Sequence, residues 1–160
     1  MSGHAMPNLT ASDGTTPQAA LGQTIEIKGA TYQYFIADGA ITAYDACYIQ
    51  DDFDASPITT TLSGARPCGV CIPQFAVADN EYFWAPVGPF FKREDGSTTF
   101  KVKAAASCAA DVKLYTTATA GVVDDSATDL IAGLLLTETI TGAEAADCIA
   151  FQRLVTNCQD

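Results

Sequence analysis

Histidine is nearly absent from the sequence, and its scarcity argues against catalytic sites that use an imidazole base. The one histidine, His4, lies in a polar segment near the start of the chain. A nucleophile of the Ser-His-Asp or Cys-His kind needs an imidazole base within hydrogen-bond reach, and the sequence has no glycine-rich phosphate loop. The Asp and Glu residues fall mostly in turn-like segments, where turn geometry accounts for them. We therefore expect a protein that is not an enzyme and needs no cofactor.

Basic residues are also scarce. The chain has 8 Lys and Arg against 19 Asp and Glu, a formal net charge of −11, and only Lys92 and Arg93 are adjacent. Binding to nucleic acid requires clustered cations that meet the phosphates, so no nucleic-acid partner is expected. Charged residues make up 17% of the chain, below the usual ~25%. The surface must then be covered by Thr, Ser, Gln, Asn and Ala, or by another protein.

Long apolar runs are missing. No run approaches the ~20 residues that a membrane-spanning helix needs. The first twenty residues have neither the basic region nor the apolar region of a secretory signal. We expect no membrane partner, and a product that stays in the cytoplasm of the cell that makes it.

Two groups of residues raise the question of a metal. The cysteines lie at positions 47, 68, 71, 108, 148 and 158. Cys68 and Cys71 form a CxxC pair without the second pair that a zinc site requires, and strand alternation would place their sulfurs on opposite faces. Three Asp within residues 51–54 lack the central Gly and distant Glu of an EF-hand loop. We expect buried free thiols and no metal, with disulfides as the alternative for the cysteines.

Short alternating segments separated by turn residues predict an all-β chain. Residues 23–29 alternate polar and apolar side chains and end at glycine, and a second segment, 32–36, is followed by Ala-Asp-Gly. A hairpin is predicted over residues 90–102 with its turn at Asp95-Gly96. Helical periodicity is nearly absent, apart from one turn each at 103–106 and 143–147. Many short strands at regular spacing indicate a small β-barrel.

The segment AITAYDACYI (residues 40–49) has an echo in CAADVKLY (108–115). Asp45 and Asp111 are 66 residues apart, and Gly69 and Gly133 are 64 apart. Because the two offsets are nearly equal, they predict a duplication. We expect similar β units over about 36–88 and 104–155 in one domain (24–160). We expect the two aspartates to accept backbone N–H groups and fix a turn. We expect the two glycines to mark a bulge or a close backbone approach.

Residues 1–23 are polar and rich in Ser, Thr, Gly and Pro, which predicts an extended N-terminal arm. Two interpretations remain open: a solvated tail, or an arm that becomes ordered against a neighbouring molecule. The candidate contact residues in the arm are Asn8, Leu9, Thr10 and Leu21.

Several of these segments together resemble a known family. AITAYDACYI, CGVCI, ADNEYFWAPVG, ADVKLYTTATAGVVDD and IAGLL are similar to segments of the capsid decoration proteins (head-stabilising or cement proteins) of tailed bacteriophages, of the β-tulip type. The resemblance covers roughly residues 36–155. Tyr44 departs from it, because glycine is common before the aspartate.

The resemblance implies a structural role on the virion. Such proteins bind the outer surface of the assembled head, often as homotrimers, and staple neighbouring major capsid subunits against the pressure of packaged DNA. The partners implied are the major capsid protein and sister copies of this chain. Phe90, Phe91, Lys92 and Arg93 are candidate contacts to either partner. The alternative is a phage tail or receptor-binding β module that recognises carbohydrate through exposed aromatics. Trp84, Phe90 and Phe91 could supply them, but Trp84 falls in the middle of a predicted strand and is more simply a core or interface residue.

Overall fold

The computed structural model describes residues 6–63, 68–91, 99–126 and 128–157. It is nearly all-β, with 44% strand and 2% helix, and confirms the predicted fold class. The strands are β1 (Thr24–Ile27), β2 (Ala30–Ala37), β3 (Cys47–Ile49), β4 (Asp54–Pro57), β5 (Gly69–Cys71), β6 (Tyr82–Pro86), β7 (Phe100–Ala104), β8 (Leu114–Thr116), β9 (Val123–Asp124), β10 (Leu130–Leu136) and β11 (Glu144–Asn157), with one short helix, α1 (Thr60–Ser63).

The second half of the chain forms a closed five-stranded barrel. Its strand order is β7, β9, β8, β10 and β11. The barrel closes because β11 pairs with β10 along one edge and with β7 along the other. Closure leaves no unpaired edge in this half of the sheet.

The first half repeats the same pairing scheme without completing it. The parallel β2–β4 pair matches the parallel β7–β9 pair. The antiparallel pairs match in the same way: β3–β4 corresponds to β8–β9, β3–β5 to β8–β10, and β2–β6 to β7–β11. Closure would require a ladder between β5 and β6, where one backbone bond runs from Ile72 N–H to the Pro86 carbonyl. Instead β5 pairs with β11, through Gly69 and Val155.

The residue-by-residue correspondence differs from the predicted offsets. Ile49 pairs with Gly69 on β5, and its counterpart Thr116 donates its N–H to the carbonyl of Asp129. Strand pairing therefore matches Gly69 to Asp129 and not to Gly133. Insertions and a bulge shift the register between the halves, which a constant sequence offset does not capture.

Two hydrophobic cores follow the two halves. The smaller core fills the first half, and the larger core fills the closed barrel and continues between the halves. Cys71 lies in the smaller core and Cys68 in the larger, as strand alternation predicts. The cysteines of the described residues are buried and free; Cys158 lies outside these residues.

Several predicted elements differ in the structure. Residues 143–147, predicted as a helical turn, mostly form the start of β11, and Lys103 and Ala104, placed in a predicted helical turn, belong to β7. These stretches pair with each other, and ladder formation overrides the helix propensity of alanine. Within AITAYDACYI (40–49), the strand β3 is limited to Cys47–Ile49.

The predicted 90–102 hairpin is partly outside the described residues, including its turn at Asp95-Gly96. The described ends of this stretch pair with β11. Phe90 forms a bridge with Ala150, and Phe100 pairs with Cys148. The long β11 strand thus receives both ends of the stretch along one edge.

The N-terminal segment, residues 6–23, packs against its own chain. Asp13 N–H donates to the Tyr82 carbonyl at 2.7 Å, and Tyr82 N–H donates to the Gly14 carbonyl at 2.9 Å. The buried Tyr34 hydroxyl donates to Asp13 Oδ2 and accepts the Gln18 N–H, both at 2.9 Å. These bonds extend the first half of the sheet beyond β6.

Candidate functional site

The Asp45 carboxylate joins the two halves. It is 4% exposed, and its Oδ2 accepts the Thr42 N–H at 2.8 Å and the Thr42 hydroxyl at 2.9 Å. Its Oδ1 lies 2.7 Å from Lys103 Nζ, which also contacts Thr42 Oγ1. The carboxylate therefore fixes the turn before β3, as the sequence indicates, and also binds a strand of the second half. The lysine is 58 residues away, and no local pattern signals the pairing.

Tyr44 and Gly121 adopt the conformations that this junction requires. Tyr44 has φ 71°, in the left-handed region that glycine adopts without strain, and it occupies the position where the resembling family commonly has glycine. Gly121, from the second half, has φ 75°, and a Cβ there would lie 2.6 Å from Asp45 Cγ. Backbone bonds join Ala46 N–H to the Gly121 carbonyl and Gly121 N–H to the Ile58 carbonyl. Glycine is thus needed where the halves meet.

Asp111 has a different environment from Asp45. It is exposed, has φ 58°, and donates its backbone N–H to the Leu136 carbonyl. Tyr44 makes the matching bond, to the Pro73 carbonyl. The structural counterpart of Asp111 is therefore Tyr44, so the predicted equivalence of Asp111 with Asp45 is wrong by one residue.

The two predicted glycines have separate roles. Gly133 has φ 92° and interrupts the β10–β11 register between Ala132 and Leu134, so it marks a bulge as predicted. Gly69 allows a close approach instead, because a Cβ there would lie 3.1 Å from Ile49 Cδ1.

A cleft of about 520 Å³ brings together residues from both sets of candidate contacts. Leu9 and Thr10 come from the N-terminal segment. Phe91 directly follows Phe90, which forms a bridge with Ala150 of β11. Phe91 is 52% exposed, whereas Leu9 packs partly against the larger core. We call this the arm cleft. Its floor and rim are completed by Ile27, Lys28, Ala30, Tyr32, Tyr44, Gln74, Thr99, Phe100 and Lys101.

The other candidate contacts lie elsewhere. Asn8 lines a neighbouring cleft of about 530 Å³ together with Trp84, and Leu21 is exposed but lines neither cleft. Phe90 is fully buried and packs on Phe100 at a ring distance of 4.5 Å. Its prediction as a contact residue is wrong, because it offers no surface to a partner. Lys92 and Arg93 lie outside the described residues.

No sequence pattern indicates the charge of the residues that line the arm cleft. Lys28 and Lys101 line it, and no Asp or Glu does so among the residues that the structure describes. Lys101 is also 3.3 Å from Asp147. The exposed Lys28 forms no ion pair within the described ranges. The lysines come from β7 and from the β1–β2 turn, so only tertiary structure brings them to one cleft.

One cluster has the geometry of a metal site but is used internally. Cys108 Sγ and carboxylate oxygens of Asp124 and Asp125 lie within 4.8 Å of one another. Asp125 Oδ2 already accepts the Ala109 N–H at 2.8 Å, and Asp124 Oδ1 accepts the Asp125 N–H at 2.8 Å. Burial, with the two carboxylates adding to it, raises the pKa of the Cys108 thiol to about 11. The protonated thiol and the occupied carboxylates fit a loop anchor better than a metal centre.

Comparison with known proteins identifies no family. No protein-family model matches the chain, and no curated protein matches it significantly. Among the described residues, the structure has no helix of the length and apolar character needed to cross a membrane.

Proposed function

We propose that this chain is a capsid decoration protein that binds the outer surface of a bacteriophage head and staples neighbouring major capsid subunits. The observation that carries the proposal is the arm cleft, where the N-terminal segment and the exposed Phe91 ring present one continuous surface. Half-exposed aromatic rings beside partly buried apolar side chains are typical of protein interfaces. The sequence resemblance supplies the identity of the partner.

The free edge of β1 supports the same role. β1 ends the strand order, and no described strand pairs with its other side. The two-residue turn Lys28-Gly29 makes Ile27 and Ala30 a hydrogen-bonded pair. Hydrogen-bonded and non-hydrogen-bonded positions alternate along an antiparallel pair of strands. Thr24 and Glu26 therefore direct their backbone groups outward, where an extended segment of a capsid subunit can add to the sheet.

The described residues contain no histidine, and the buried Asp45 carboxylate is committed to a turn and an ion pair. These features support a binding role over a catalytic one. In this proposal the protein acts at high copy number on the virion, where many weak contacts act together. A homotrimer at a three-fold position of the shell is the assembly we propose.

The first experiment is co-sedimentation with purified empty capsid shells. Phe91→Ala is expected to weaken binding about tenfold, because it removes a ring that the partner would bury. Phe151 is 54% exposed and does not line the arm cleft, so Phe151→Ala is the matched control. Binding to shells at saturating stoichiometry supports the proposal. Failure of the wild-type chain to sediment with shells would refute it.

Deletion of residues 1–20 would remove the arm residues of the cleft but would also disturb the fold, because Asp13 and Gly14 bond to Tyr82, and Gln18 bonds to Tyr34. The deletion would expose the face of β2 and β6. Leu9→Ala and Thr10→Ala are better variants, since they remove side chains at the cleft and keep these bonds.

The carbohydrate-binding alternative receives less support. Trp84 is 4% exposed and packs on Tyr34 at a ring distance of 4.9 Å, so it offers no stacking platform for a sugar. Retention of the wild-type chain on a glycan array, combined with no shell binding, would favour the alternative.

A further inference from the structure

The charged residues among the described lining of the arm cleft are lysines, whereas the molecule as a whole is acidic. The chain carries a net charge of −11, yet two lysines and no described carboxylate line this cleft. Long-range repulsion from the acidic surface disfavours an anionic partner at most positions. At the cleft, a carboxylate would meet the ammonium group of Lys28, which has no ion-pair partner among the described residues.

The floor of the cleft is apolar. Tyr32 and Phe100 are nearly buried, with their rings 6.4 Å apart, and Ile27 packs partly against the larger core. Phe91 is the exposed part of this surface. A volume of about 520 Å³ lies within the range of sites that enclose a small ligand or a few side chains.

We infer that the arm cleft binds a short peptide segment of a partner protein in which an apolar side chain lies beside an Asp or Glu. The apolar side chain occupies the floor against Phe91 and Phe100, and the carboxylate pairs with Lys28. This inference rests on the proposed function and names the chemistry of the capsid segment that the cleft would bind.

A peptide fits the cleft better than a glycan. The aromatic rings of the floor are largely buried, with Tyr32 9% and Phe100 5% exposed, so they offer little ring surface to a ligand. Sugar recognition depends on exposed rings and many polar groups, whereas an apolar side chain needs only a dry floor.

The test is a selection from a random dodecapeptide library, displayed on messenger RNA, against the immobilised full chain. Enriched peptides are synthesised, and their dissociation constants are measured by fluorescence anisotropy. The enriched peptides are expected to carry Asp or Glu next to an apolar residue. Lys28→Gln should weaken their binding about two- to fivefold, an effect that added salt removes, and Phe91→Ala should weaken it about tenfold.

Two matched controls separate the cleft from the general surface. Lys113 is an exposed lysine and Phe151 an exposed phenylalanine, both outside the cleft. Lys113→Gln and Phe151→Ala should leave binding unchanged. Circular dichroism of all four variants checks that the fold is intact.

Several results would overturn the inference. They are no enriched peptide, enriched peptides that are neutral or basic, equal effects of Lys28→Gln and Lys113→Gln, or binding to a glycan array with no peptide binding. A Phe91-dependent dimer in sedimentation velocity would mean that a second copy occupies the cleft, and would also overturn it. Shell co-sedimentation is read separately. Shell binding without peptide binding refutes only this inference, whereas peptide binding without shell binding refutes only the proposed function.

Discussion

The two halves of the molecule share one pairing scheme but distribute their interior volume in opposite ways. In the first half, Phe35 lies opposite Phe83 on β2 and β6, while Cys47 lies opposite Cys71 on β3 and β5. At the matching places in the closed barrel, Val102 lies opposite Ala146, and Leu114 lies opposite Ile131. The large side chains lie on β2 and β6 in the first half. In the second half they lie on β8 and β10, which are the counterparts of β3 and β5.

This difference shows that strand pairing, and not the identity of core residues, defines the scheme. A core needs to be filled to a fixed density, and similar total volumes can be arranged differently. The halves also differ at their edges. The second half closes on itself, whereas the first half is completed by β11 and by the N-terminal segment. The arm cleft lies where the half that lacks closure meets β7 of the closed barrel.

The largest expected effect comes from removing the bulky wall of the first half. Phe83 is fully buried, with its ring 5.8 Å from that of Phe35. Phe83→Ala should lower the free energy of unfolding by about 3–5 kcal/mol, because it leaves a cavity. Urea denaturation measures the change, with Phe151→Ala as the surface control.

The same variant can be used to transfer the packing of the second half. Adding Cys47→Leu and Cys71→Ile to Phe83→Ala moves the bulk to the opposite wall, as in the closed barrel. Part of the lost stability, about 1–2 kcal/mol, should return if the two arrangements are interchangeable. A further loss would show that each half tolerates only its own distribution.

Asp45 and Asp111 test the offset between the halves. Asp45→Ala removes the acceptor for Thr42 N–H and the partner of Lys103, and should lower the free energy of unfolding by about 2–3 kcal/mol. Asp111→Ala changes an exposed side chain and should cost less than about 0.5 kcal/mol. Thermal denaturation of both variants checks this. Equal losses would mean that the two aspartates are equivalent after all.

Tyr34 tests the N-terminal segment, which has no counterpart in the second half. Burial, together with the Asp13 carboxylate, raises the pKa of Tyr34 to about 12. The folded state thus favours the neutral hydroxyl. The associated stability, on the order of 2 kcal/mol, is complete below pH 10 and is lost as the pH rises through about 12.

Chemical denaturation followed by Trp84 fluorescence measures this effect, because the indole packs on Tyr34. The difference in unfolding free energy between wild type and Tyr34→Phe should shrink between pH 9 and pH 11.5. Cysteine ionisation affects both proteins alike. A difference that does not change with pH would show that the hydroxyl network contributes nothing.

Smaller losses than that of Asp45→Ala are expected at the two glycines. Gly133→Ala places a side chain at φ 92°, against the Gln152 side chain, and should cost about 1–2 kcal/mol. Gly69→Ala meets only the flexible end of Ile49 at ordinary backbone angles and should cost less than about 1 kcal/mol. Thermal melts of the two variants rank them. The reverse order would place the bulge at the wrong glycine.

Alternation of apolar and polar residues was sufficient to predict the first strand. The predicted segment 23–29 contains β1, because alternation and a terminal glycine are local signals. The alanine-rich stretch 143–147 was mispredicted, since its strand conformation depends on pairing with β7. Local propensity does not contain that information.

The arm cleft was predictable in part. Leu9 and Thr10 were predicted as contact candidates because they belong to a polar N-terminal arm, and Phe91 because it belongs to a predicted hairpin with a charged tip. Their meeting in one cleft, the burial of Phe90 and the two lysines on its rim follow from the path of β11 and the β1–β2 turn.

The sequence by itself determined an all-β chain and the presence of two related segments, because composition and local periodicity encode them. Only the tertiary structure decided the register between the halves, the Asp45–Lys103 ion pair and the meeting of two lysines in one cleft of an acidic protein. These features join residues that are far apart in the chain. Their proximity depends on which strand edges close and which remain open.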